Sequence, residues 1–158
     1  MIDNAALQRY SLFGGLLPEQ VEAIRSLLVQ ESYPSGAIIM SEGEPNDKIR
    51  FILEGRVAVT KASVLLIEIG EGETFGEMEI LDVMPAAATV RAVVPVVVAV
   101  ISNRAIRELY KLDTKAFALV MMNLARDLSR RLRRMDELHC REDGGRSAKA
   151  DSVQTAAF

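Results

Sequence analysis

The chain is short of the residues that usually do covalent or metal chemistry: Cys140 is its only cysteine and His139 its only histidine. A single cysteine excludes an internal disulfide framework. An adjacent His-Cys pair supplies neither a zinc ligand set nor a nucleophile with an oriented base, so the pair is expected to be solvent-exposed. Long apolar runs are also lacking. The longest, around Val93 to Ile101, is interrupted by Pro95 and is far too short to span a bilayer. The N-terminus does not carry the basic-then-apolar pattern of a secretory signal, and the expected location is a reducing, cytoplasmic compartment. Positive charge is not in excess. A formal net charge of -3 argues against a protein that wraps polyanions over its whole surface.

What is present suits one sizeable core: 158 residues with 49% hydrophobic content. The expected organisation is one domain over residues 1–139 and a disordered tail over residues 140–158, where Gly144, Gly145, Ser147, Ser152 and Thr155 make the chain small and polar. Ala5 to Leu17 is mixed in pattern and predicts a short helix broken at Gly14-Gly15. Pro18 suits a first helical residue, and Val21, Ile24, Leu27 and Leu28 follow at helical spacing. From Tyr33 the period switches to that of strands. Apart from Ile52, Ile49, Phe51 and Leu53 alternate with Lys48, Arg50 and Glu54, and Val57 and Val59 alternate with Arg56 and Thr60. With Gly55 between the two runs, this predicts a half-buried hairpin. Val64 to Ile69 and Val96 to Ile101 are nearly continuous apolar runs, as expected of strands covered on both faces. The predicted fold is mainly β, an antiparallel, jelly-roll-like β-roll flanked by helices.

The most informative stretch is Phe75 to Val90, FGEMEILDVMPAAATV. Gly76 permits close approach of a backbone to a ligand, and Glu77 offers a carboxylate to sugar hydroxyls. Amides freed at the start of a short helix, and those after Pro85 around Ala86, Ala87 and Ala88, favour an anion. Those are three parts of a nucleotide-monophosphate site. The segment Glu77 to Val83 predicts about two helical turns inserted among strands.

At these residues the chain resembles the cyclic nucleotide-binding domain family, whose motif reads approximately FGE(L/M)ALL, a few residues, then PR(A/S)ATV. Phe75, Gly76, Glu77, Met78, Pro85, Ala87, Ala88, Thr89 and Val90 match it. Two residues depart: Glu79 stands where a small residue is usual, and Ala86 stands where the family places an arginine. The resemblance implies that Glu77 holds the ribose 2′-hydroxyl and that the missing arginine would hold the cyclic phosphate. It also implies a ligand-binding set of Phe75, Gly76, Glu77, Met78, Ala86, Ala87, Ala88 and Thr89, with cyclic AMP or cyclic GMP as ligand and no cofactor.

After the sheet, Ser102 or Asn103 is placed to cap a helix through Tyr110, and Asp113 or Thr114 to cap a long one reaching about Leu138. Phe117, Met121, Leu124, Leu128, Met135 and Leu138 fall on a heptad seam that Arg131 interrupts. The part from Phe117 to Leu124 is expected to lie on the chain's own sheet. Beyond Leu128 a parallel partner helix would cover Leu132, Met135 and Leu138, giving a homodimer. Arg126, Arg130, Arg131, Arg133 and Arg134 read as a solvated helical face with cations near its C-terminus. In the resembled family's transcription factors a winged helix-turn-helix follows this helix; here only Arg141 to Phe158 remains, so no DNA reader is expected. Neither Glu77 nor Glu79 has a sequence partner that would mark a general acid, and no enzyme is expected. Two functions stay open: a cyclic nucleotide sensor weakened by the lost arginine, and a binding-silent β-roll used for dimerisation or for docking an unknown protein partner.

Overall fold

The computed structural model describes the backbone of residue 3 and residues 7–154, and the side chains of residue 3, residues 7–138 and Cys140. It forms two compact units, Met1–Asp127 and Leu128–Phe158. The first holds eight antiparallel strands in two four-stranded sheets. One sheet has the order β1 (Val29–Tyr33), β8 (Val96–Ser102), β3 (Lys48–Glu54), β6 (Thr74–Phe75). The other has the order β2 (Ile38–Met40), β7 (Thr89–Ala92), β4 (Arg56–Lys61), β5 (Val64–Gly70). This is the predicted β-roll.

The helix α1 (Pro18–Leu27) begins at the predicted proline, and its Val21 and Ile24 are buried. In place of the short helix expected over Ala5 to Leu17, a 3-10 turn covers Ser11–Phe13, while residues 5 and 6 lie outside the described residues. Leu12, Phe13, Val21 and Ile24 pack with Ile49, Phe51 and Ala99 of the first sheet and with Ile106, Leu109, Ala116, Val120 and Leu124 of the later helices. Each large side chain so buried contributes roughly 1.5 to 3 kcal/mol. Helix α3 (Asn103–Leu112) is capped by Ser102, whose Oγ accepts from the Ala105 amide. Helix α4 (Thr114–Gln154) is capped by Asp113, whose Oδ1 accepts from the Ala116 amide at 2.9 Å. That bond and the Gln20 side chain hold the Asp113 carboxyl below its usual range. Within the first unit, buried Asn123 donates to the carbonyls of Leu12 (3.1 Å) and Gly14 (2.9 Å), fixing α4 to the N-terminal turn.

Three expectations are corrected. The runs either side of Gly55 form no hairpin: β3 pairs with β6 and β8, and β4 with β5 and β7. Gly55 instead turns the chain from one sheet into the other at φ +94°, where a Cβ would stand 2.3 Å from the Pro95 carbonyl oxygen. Arg50, predicted to face solvent, is buried, because β3 is an inner strand covered on both faces. Val64 and Leu65 are exposed: in the edge strand β5 only Ile67 and Ile69 are buried and Glu68 between them is exposed, so the strand is covered on one face, not two.

In the second unit α4 continues to Gln154, past the end expected near Leu138. An established helix gains a hydrogen bond with each added residue, and Ala148 and Ala150 favour it even though Gly144 and Gly145 do not. Leu132 and Leu138 are exposed there, as is Cys140, which is a free thiol; the His139 side chain lies outside the described residues. No helix among the described residues is long and apolar enough to cross a membrane, and no three of their His, Cys, Asp or Glu side chains are grouped to hold a metal ion.

Candidate functional site

The Phe75 to Val90 segment opens at the end of β6, where Phe75 pairs with Arg50 of β3. Gly76 follows at φ +79°, and a Cβ on it would stand 2.6 Å from the Lys48 carbonyl oxygen and 2.9 Å from Asn46 Nδ2. Only glycine fits that turn without strain. Asn46 fastens the opening from outside the segment: its Nδ2 donates to the carbonyls of Lys48 (2.8 Å) and Gly76 (3.0 Å), and its Oδ1 accepts from Arg50 Nη1 (2.9 Å). The Arg50 guanidinium lies 5.8 Å from the Phe75 ring centroid, and its buried Nε makes no hydrogen bond. A buried cation thus stands beside Gly76.

Further along the same sheet Glu31 accepts from the Tyr33 hydroxyl and, at 3.3 Å, from Lys48 Nζ. Burial pushes the Glu31 carboxyl up, but those two bonds and the nearby charges of Lys48 and Arg50 outweigh it and hold the group below its ordinary value. Glu77 is in right-handed helical conformation and is 1% exposed. Its carbonyl accepts from the amides of Ile80 (3.2 Å) and Leu81 (3.1 Å), launching the five-residue helix α2 (Met78–Asp82). Met78 is exposed. The helix ends at Val83, left-handed at φ 59°.

The closing half is built differently. Ala86 is 3% exposed; its amide donates to the Glu44 carbonyl (2.9 Å) and its carbonyl accepts from the Gly43 amide (2.8 Å). The Ala87 amide donates to Glu79 Oε1 at 3.0 Å. Glu79 is 6% exposed and its buried Oε2 has no hydrogen-bond partner. Thr89 Oγ1 accepts from the Glu42 amide at 3.0 Å. The expectation of a row of bare amides after Pro85 is therefore corrected at two positions. Ala86 is engaged because the 43–44 turn pairs with it, and Ala87 because Glu79 turns inward.

Two cavities lie nearby. One of about 300 Å³ is lined by Pro45, Asn46, Asp47, Asn103 and, from the segment itself, Glu79, Ile80, Val83, Met84 and Pro85. The other, of about 460 Å³, lies between Asp47 and the charged face of α3. None of the eight residues predicted to bind ligand lines either one. Asn46, Arg50 and the inward turn of Glu79 escaped the sequence reading. The only signal for Arg50 was its place on a strand whose other face is apolar, and alternation assigned that place to solvent.

A sequence model described as "Cyclic nucleotide-binding domain" matches residues 30–113. The chain is 32% identical over 130 residues to the Cyclic AMP receptor protein of Thermus thermophilus, covering 79% of this chain and 58% of that protein. It is 38% identical over 89 residues to a cyclic nucleotide-gated potassium channel of Mesorhizobium japonicum, covering 56% of this chain and 23% of that protein. The chain thus spans less than two thirds of either relative. Among solved structures it is similar to a cyclic nucleotide-binding domain from Methylobacillus flagellatus, with a TM-score of 0.79 and 27% identity over 87% of this chain and 80% of that one.

Proposed function

Because this chain belongs to the cyclic nucleotide-binding domain family, we propose that it is a sensor of cyclic AMP or cyclic GMP that holds the ligand's phosphate weakly. The family is regulatory rather than catalytic, and no catalytic constellation was read in the sequence. The observation that carries the reading is the pairing of Gly76, held at a positive φ, with the buried carboxylate of Glu77 at the head of α2, inside the span matched to the family. A charge-assisted hydrogen bond is worth roughly 1.5 to 3 kcal/mol. Its loss with alanine at position 86 weakens binding about ten- to more than a hundredfold. Occupancy would reach α4 through Ala116, Val120 and Leu124, which share one packed core with the first sheet.

Titration of the protein with each nucleotide, followed by calorimetry, tests this. Saturable binding is expected, and Ala86→Arg is expected to tighten it by about ten- to a hundredfold. Binding in neither protein sinks the reading. A second reading, a binding-silent docking module, is favoured by the exposure of Met78, Leu81, Val83 and Met84 on and just after α2. Silence toward both nucleotides alongside a fully folded chain would select it.

A further inference from the structure

We propose that Glu79 is the resident anion of this site: its carboxylate occupies the Ala87 amide that a ligand phosphate would otherwise take, so the unliganded chain is self-occupied. The inference rests on the sensor reading in placing a phosphate at Ala87.

Three observations converge on it. Glu79 Oε1 accepts from the Ala87 amide at 3.0 Å, and a carboxylate oxygen offers that amide the same kind of acceptor as a phosphate oxygen does. The side chain is 6% exposed, yet it has no basic neighbour on the residue before Ala87, which is Ala86, and none among the residues lining the adjoining cavity. A buried carboxylate without a cation is costly unless hydrogen-bonded, and it is the Ala87 amide that bonds this one. Finally, Glu79 Oε2 is unsatisfied, and Glu79 lines the cavity of about 300 Å³. The carboxylate therefore has space to withdraw into when an incoming phosphodiester takes Ala87.

The two departures from the motif then form one device. An arginine at position 86 would have attracted an external phosphate, and a small residue at position 79 would have left the amide open to it. With alanine and glutamate in those places, an anionic ligand must displace a carboxylate and meet its charge at close range. Glu79 thus sets affinity for the phosphate.

The test follows the Ala87 amide by nitrogen-15 NMR in the full chain, titrated with inorganic phosphate and separately with cyclic AMP. In the unsubstituted protein the resonance is expected to ignore phosphate. In Glu79→Ala it is expected to shift saturably, with cyclic AMP bound at least about tenfold more tightly. Glu79→Gln keeps an acceptor for Ala87 and removes the charge; it guards against a folding defect in the alanine variant and is expected to fall between the two. The inference is overturned if cyclic AMP affinity in both variants stays within about twofold of the parent, or if Ala87 ignores phosphate in all three proteins. Binding by the parent with no gain in the variants sinks this inference and leaves the sensor reading standing. A phosphate response at Ala87 in the variants, with no nucleotide bound by any of the three, does the reverse.

Discussion

The two ends of the Phe75 to Val90 segment differ in what holds their buried charged groups. At the opening, Arg50 lies against Phe75 and is tied through Asn46 to the Gly76 carbonyl. At the closing end, Glu79 lies against Ala87 where the resemblance leads one to look for a cation. The opening is held by groups from a different strand and loop, so its geometry is set by the sheet. The closing end is held partly by the segment's own side chain, so it is open to competition from a ligand. On the proposed sensor reading, the rigid end would grip the sugar and the negotiable end would receive the phosphate.

That contrast is sharpened or broken by three substitutions. Gly76→Ala has the largest expected effect: left-handed backbone strain alone costs on the order of 1 to 3 kcal/mol, and overlap with the Lys48 carbonyl adds to it. A thermal melt should fall by several degrees, and an unchanged melt would show that the opening is not rigid. Asn46→Ala comes next. It removes the donor to two carbonyls and the acceptor for Arg50, and a loss of about 1 to 3 kcal/mol in urea unfolding is expected. Val83→Gly is the smallest and has the opposite sign. A β-branched residue at φ 59° is strained, and relief of roughly 1 kcal/mol, part of it offset by the freedom of glycine when unfolded, should raise the melting temperature slightly. If Val83→Gly destabilised the chain more than Gly76→Ala did, the rigid and negotiable ends would have to be exchanged.

Much of this was legible in the sequence, for local reasons. Pro18 at the start of α1, Ser102 and Asp113 as caps, and the short helix after Gly76 are decisions a few neighbouring residues make. The misread parts depend on distant chain. Gly55 marks a turn in either case, but whether the next strand folds back beside β3 or departs to the other sheet is decided by β6, β7 and β8. Arg50 alternates with apolar residues in a way that usually means water, and only the inner position of β3 shows otherwise. Glu79 was visible as a departure from the motif, but the direction of its side chain was not, because that is fixed by the path of the chain after Val83.

The pairing of β1 with β8, which sets Val29 opposite Val100, bears on how this protein comes into being. On a ribosome both β1 and β3 await the same late-arriving strand, and no earlier segment substitutes for it. The Phe75 to Val90 segment emerges before that strand does. Closure of so long a loop is entropically slow and collective, so the first sheet cannot be completed, nor the turn at Gly76 fastened onto a finished β3, until the polypeptide has been made as far as Ser102.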